Sequence, residues 1–134
     1  MRKQFVSALV LIAATGSASA DWAPVSYEEG ATVYFDSTTI RRNGNLVKMW
    51  EMKDYARTSP GKIGTDFIFL SQAMRFEYDC LEYNVRLHDT SFYSEPMGKG
   101  KLLHTESFSP PSQWVSVAPG STGMLLLKKA CETK

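Results

Sequence analysis

From Gln72 to Cys80 the chain keeps a strict two-residue period. Gln72, Met74, Phe76, Tyr78 and Cys80 fall on one side, and Ala73, Arg75, Glu77 and Asp79 on the other. Such alternation describes a strand with one face toward a core. After Cys80 the phase inverts: Leu81, Tyr83, Val85 and Leu87 are apolar, whereas Glu82, Asn84, Arg86 and His88 are polar. A one-residue slip sends every later side chain to the opposite face, so a β-bulge or a very tight turn is expected at Cys80-Leu81.

Strand signals dominate the rest. Thr32-Val33-Tyr34-Phe35 is a β-branched and aromatic run bounded by Gly30 and Asp36. Asn43-Gly44 is a strong type I′ hairpin signal. Centring the turn there pairs Arg42 with Asn45, Ile40 with Val47 and Thr38 with Met49, and carries the second strand to about Tyr55. The segment Ala56 to Asp66, with Pro60-Gly61 and Gly64, reads as a long loop. Phe67-Ile68-Phe69-Leu70 lacks alternation and is either the entry to a buried strand or an exposed tip. Phe92-Tyr93-Ser94 and Leu102 to Glu106 read as further strands, with Gly98-Lys99-Gly100-Lys101 as the turn between them. Trp114-Val115, inside a proline-rich connection, is expected to pack back onto the sheet.

At the C-terminus the period changes. Ser121 is placed as an N-cap, and Met124, Leu127 and Cys131 fall at helical spacing with Ala130 beside them. Lys128 and Lys129 sit in the last turn, where the helix dipole favours cations. A helix this short is marginal alone and needs a tether.

The N-terminus bears on that tether. Arg2 and Lys3 precede an apolar run, Phe5 to Ala14, and Ala18-Ser19-Ala20 supplies the small residues a signal peptidase reads. Residues 1–20 are therefore expected to be a cleaved signal peptide and 21–134 a single domain. The run is about half the ~20 residues needed to span a bilayer, and no other segment is long enough, so no transmembrane segment is expected. In an exported chain Cys80 and Cys131 are expected to form an intramolecular disulfide rather than two free thiols or an intermolecular bridge. The fold class is then α+β: a small, mainly antiparallel sheet of about six strands, with a C-terminal α-helix tethered by the disulfide.

Composition argues against several functions. With 43% hydrophobic and 22% charged residues, the chain is globular rather than disordered. Loss of Arg2 and Lys3 takes the 15 cationic residues to 13 against 14 acidic ones, so the formal charge moves from +1 to −1. That balance does not advertise nucleic acid. Only His88 and His104 are available as a histidine base, and no G-x-S-x-G elbow accompanies them. His88 falls on the polar side of its strand and reads as a solvated surface residue. The cysteine and histidine spacing suits neither a CxxC redox motif nor zinc. No enzyme, cofactor or metal is expected.

The ordered set Val33-Tyr34-Phe35-Asp36, Ile40-Arg41-Arg42-Asn43-Gly44-Asn45, Trp50 and Tyr78-Asp79-Cys80 resembles the surface-adhesin protein E family of Gram-negative bacteria. Arg86, Tyr93-Ser94-Glu95-Pro96-Met97-Gly98-Lys99-Gly100, Trp114 and Pro119-Gly120-Ser121 extend the resemblance from about Trp22 to Cys131. It implies an antiparallel sheet with a disulfide-held helix, and an adhesin-like module for host matrix or serum glycoproteins such as vitronectin and laminin. The adhesin that names the family is surface-anchored, and no acylatable cysteine stands at the expected cut here. The alternatives are a periplasmic envelope-maintenance module with a bacterial partner and, more weakly, a secreted inhibitor of host enzymes. Localisation is expected in the periplasm, at the cell surface or outside the cell. Candidate partner-binding cations are Arg41, Arg42, Lys48, Arg75 and Arg86, with Lys53 also on a strand; grouped on one sheet face, they would meet an acidic protein segment. Exposed edge strands make a homodimer a further expectation.

Overall fold

The computed structural model describes residues 20–64 and 67–132. The expected signal peptide lies, except for Ala20, outside the described residues. Nine strands occur among them: β1 (Trp22–Glu28), β2 (Ala31–Asn43), β3 (Leu46–Tyr55), β4 (Gly61–Ile63), β5 (Phe67–Phe69), β6 (Ser71–Asp79), β7 (Asn84–Tyr93), β8 (Leu102–Ser107) and β9 (Val115–Ser116). Helix α1 (Thr122–Glu132) ends the described chain. The main sheet is antiparallel in the order β1-β2-β3-β6-β7-β8, with β9 added beside β7, while β4 and β5 pair separately.

The sheet therefore has seven strands rather than about six, because β1 and β9 join it while the stretches around Val85 and Phe92 form one continuous β7. The β1–β2 hairpin closes through Glu29-Gly30, both at positive φ (49° and 79°), as a type I′ turn requires. The Asn43-Gly44 signal lands one residue off. Asn43 pairs with Leu46, so the loop is Gly44-Asn45, with positive φ at Gly44 alone. Arg42 then faces Val47 and Arg41 faces Lys48, not the register expected from the sequence.

Cys80-Leu81 resolves to a tight turn. Residues 80–83 form the loop closed by Asp79 and Asn84, and the Asp79 carboxylate accepts the N–H groups of Leu81 and Glu82, both at 3.0 Å. The bulge lies elsewhere: Arg75 pairs with Asp89 and Phe76 with Leu87, which leaves His88 as the extra residue in β7. Ala56 to Asp66 is only partly loop, since Gly61–Ile63 folds back on Phe67–Phe69. Gly61 is needed there because a Cβ would collide with the Phe69 ring. Phe69 is buried and Ile68 exposed, so this apolar run supplies both of its expected outcomes at once.

Helix α1 covers one half of one sheet face. Leu126, Leu127 and Ala130 pack against Val33, Val47, Met49 and Tyr78, with Phe76 and Val85 at the margin. Ser121 caps the helix as expected, its hydroxyl accepting the Met124 N–H at 3.2 Å. Both helix ends are tied down. The Ser26 and Thr122 hydroxyls lie 2.9 Å apart, Arg42 donates to the Cys131 carbonyl at 2.9 Å, and Cys80 and Cys131 are disulfide-bonded. Phe67 and Phe69 cover the far end of the same face through contacts with Phe92. On the opposite face only one end is covered: the 3-10 turn Pro96–Gly98 lies over Met52, with the Ser71 hydroxyl accepting from Gly98 N at 2.8 Å.

The bridge closes a loop of 51 residues and anchors an 11-residue helix. Replacing both cysteines by serine is expected to lower stability by up to about 4 kcal/mol in chemical denaturation. Hydrogen exchange should show α1 opening before β3 or β6.

Candidate functional site

Outside the patch under Pro96–Gly98, the face away from α1 is polar and ordered in rows. Trp22, Asp36, Trp50, Arg75, Asp89 and Ser107 stand opposite one another from β1 to β8. A second row runs Arg41, Lys48, Glu77, Arg86. Cross-strand neighbours on one face are close enough to pair their charges. Arg75 Nε lies 2.6 Å from Asp89 Oδ2, and Ser107 donates to the other Asp89 oxygen at 2.7 Å. Arg86 Nε lies 2.5 Å from Glu77 Oε1, and its guanidinium sits 4.3 Å from the Trp114 ring centre. Burial would raise both carboxyls. The hydrogen bonds from His88 and Arg86 to Glu77, and from Ser107 and Arg75 to Asp89, outweigh it with the adjacent positive charge, so both sit below the usual carboxylate range.

The bulge turns His88 inward. Its ring nitrogen lies 3.0 Å from Glu77 Oε1 and its side chain is only 12% exposed, so it is a partnered residue and not the solvated one expected.

An open groove of about 550 Å³ lies between Trp22 and Trp50, with Thr38, Arg41, Lys48 and Arg75 around it and Asp36 at its base. It exists because β2 is irregular between Asp36 and Arg41. Asp36 is 2% exposed and organises that irregularity. Its carboxylate accepts Thr38 N at 3.0 Å and the Thr38 hydroxyl at 2.5 Å. Its carbonyl accepts the Thr39 hydroxyl at 2.6 Å, which in turn accepts Trp50 N at 3.0 Å. Asp and Thr commonly satisfy displaced backbone in this way. Arg41 is fastened to the carbonyls of Thr38 and Ile40.

Four of the five expected cations therefore share this face: Arg41, Lys48, Arg75 and Arg86. Arg42 does not, because its register partner is Val47 and it serves the helix C-terminus. Lys53 is likewise on the helix side, 3.5 Å from Glu28. Of the four, Arg75 and Arg86 are neutralised, while neither Arg41 nor Lys48 has a carboxylate within 4.0 Å among the described residues. The Trp residues lining the groove belong to the site but carried no motif in the sequence.

Two other cavities bear on chemistry. One of about 330 Å³ brings Phe67, Phe92, Leu103, His104, Glu106 and Thr90 together. His104 Nε2 is 3.8 Å from Glu106, beyond hydrogen-bond reach, and the Thr90 hydroxyl is engaged by Gln72 at 3.0 Å. The other, about 260 Å³ under the start of α1, borders Glu51 and Tyr78. Tyr78 donates to the Glu51 carboxyl. Burial pushes Glu51 up to about 8, against the opposing pull of Tyr78 and Lys53; burial and Glu51 raise Tyr78 well above the ordinary phenol range. Among the described residues no three His, Cys, Asp or Glu side chains gather as a metal site.

A family model described as Surface-adhesin protein E matches residues 22–132. Crystal form II of Haemophilus influenzae protein E is similar in fold, with a TM-score of 0.58 and 17% identity over 86% of this chain and 97% of that one. Its Se-Met form gives 0.56 and 18% over 83% and 93%. Protein E from non-typeable Haemophilus influenzae gives 0.51 and 14% over 82% and 83%. No match was found among curated protein sequences.

Because Glu51 holds its proton in the folded state far above the usual carboxylate range, its contribution to stability is fully present below about pH 4.5 and falls away as pH rises to about 8. Urea unfolding at pH 5 and pH 8 should show a loss of stability in the native protein that Glu51→Gln largely abolishes, with the variant the more stable of the two at pH 8.

Proposed function

The chain belongs to the surface-adhesin protein E family, and we propose that its exported domain is a non-enzymatic binding module whose polar sheet face takes a protein partner. The observation that carries this reading is the pairing of two cations that have no carboxylate within 4.0 Å among the described residues, Arg41 and Lys48, with the rings of Trp22 and Trp50 on one rigid sheet. Trp and Arg are enriched among the residues that carry most of the binding energy at protein interfaces, Trp through its large rigid ring and Arg through its apolar stem and polar handle. The sheet holds their geometry before binding, which spares the ordering cost a flexible loop would incur. Positive charge without a carboxylate partner selects an acidic segment. The partner we infer from the resemblance to this adhesin family is a host matrix or serum glycoprotein such as vitronectin or laminin.

The reading needs no chemical step. The cleft around Phe92 joins a histidine, a carboxylate and a hydroxyl, but its histidine and carboxylate are more than half exposed and 3.8 Å apart. Self-association belongs to the same reading: β8 ends the strand order, and its six residues, Leu102 and Leu103 among them, are exposed. A second copy pairing there would leave the polar face free, and sedimentation at rising concentration reports it.

The mature protein is expected to bind immobilised vitronectin or laminin at micromolar or tighter affinity. Arg41→Glu combined with Lys48→Glu should weaken binding at least about tenfold with the melting temperature unchanged. Absence of binding to both, together with protection from protease on intact cells, would move the partner into the bacterial envelope.

A further inference from the structure

Asp36 presents a physical problem. It is 2% exposed, and among the described residues no Lys, Arg or His nitrogen lies within 4.0 Å of its carboxylate. A buried carboxylate without a cation is costly, and neutral donors offset only part of that cost. One of its oxygens is served by Thr38. The other, Oδ2, accepts a single bond, from the backbone nitrogen of Asp21 at 3.0 Å.

Asp21 is also the residue that follows Ala18-Ser19-Ala20, the small residues read by a signal peptidase. Before cleavage its nitrogen is a neutral amide. Hydrolysis of the Ala20–Asp21 peptide bond, with water supplying the hydroxyl to Ala20 and a proton to the nitrogen, leaves a free α-amine that is protonated at neutral pH. We propose that removal of the leader before Asp21 converts this amide into the α-ammonium that neutralises buried Asp36, so that the new N-terminus is a structural part of the polar face.

Two independent observations meet here: a sequence pattern that sets the cut, and a buried carboxylate whose remaining acceptor is already occupied by the nitrogen the cut would charge. A charge-assisted hydrogen bond is roughly twice as strong as a neutral one, so the gain appears only in the exported, processed chain. The consequence is local. Trp22 follows directly and stands opposite Asp36, so the pair fixes the start of β1 and one wall of the groove. The inference rests on export and cleavage alone; the adhesive role has no part in it.

The test uses exported protein. Its intact mass is expected to begin at Asp21. A glycine inserted between Ala20 and Asp21, so that the same cut leaves Gly before Asp21, displaces the ammonium by one residue. The melting temperature should fall by at least about 4 °C, and the α-amine should react faster with an acylating reagent at neutral pH than that of the native chain. In an Asp36→Asn background the inserted glycine should have little effect on either. If that variant fails to fold, amine reactivity of the native and glycine-extended chains decides alone. A mature chain beginning elsewhere, or equal melting temperature and amine reactivity with and without the glycine, would overturn the proposal.

Discussion

The architecture depends on a single covalent tie between Cys80, in the tight turn after β6, and Cys131, near the end of α1. An 11-residue helix has too few internal hydrogen bonds to persist alone, and it buries just Leu126, Leu127 and Ala130, with Met124 and Cys131 partly buried beside them. Held at its far end by the disulfide and at its start by Ser26, it becomes the lid of the core. One helix cannot cover two sheet faces. The opposite face must therefore satisfy itself with water, cross-strand charge pairs and a short 3-10 turn at one end. That division of labour leaves most of the opposite face polar, with an open groove between Trp22 and Trp50.

Among the described residues three acids are buried, and each is accommodated by different chemistry. Glu51, on the helix side, keeps its proton because burial strips it of water, against the opposing pull of Tyr78 and Lys53. Glu77, on the polar side, is ionised between Arg86 and His88, and the bulge in β7 brings the histidine to it. Asp36, between Trp22 and Trp50, has no cationic side chain within 4.0 Å among the described residues, and it is met by hydrogen-bond donors from Thr38 and Asp21. The contrast follows from position. A carboxyl beneath a helix is desolvated on all sides, whereas one on an open face can recruit charge from adjacent strands.

The binding role proposed for this surface draws on its stiffness. Arg75 and Arg86 are immobilised by their carboxylates, and Arg86 is further held against Trp114. They frame Arg41 and Lys48, which keep their charge available. Edge strand β8 and the aromatic cleft around Phe92 and His104 lie across the sheet from the groove. Fold similarity to Haemophilus influenzae protein E, at 17–18% identity, speaks to the scaffold and leaves the binding chemistry to these particular residues.

Much of the fold was legible in the sequence because it rests on short-range periodicity. The alternation from Gln72 to Cys80 set the two faces of β6, the change of period after Ser121 marked α1 with its cap, and two cysteines in an exported chain named the tether. Features that depend on register were not legible. The turn at Gly44-Asn45 set Arg42 opposite Val47 instead of Asn45, and the extra residue in β7 turned His88 from solvent toward Glu77. β1 escaped because Pro24 interrupts its pattern and its turn, Glu29-Gly30, lacks the Asn-Gly signature. The groove escaped for a deeper reason: Trp22, Asp36 and Trp50 become neighbours only when three strands lie side by side. Local pattern determined which elements form and which side of each is apolar. Strand pairing, a long-range matter of turn geometry and bulges, decided which charges meet and which are left for a partner.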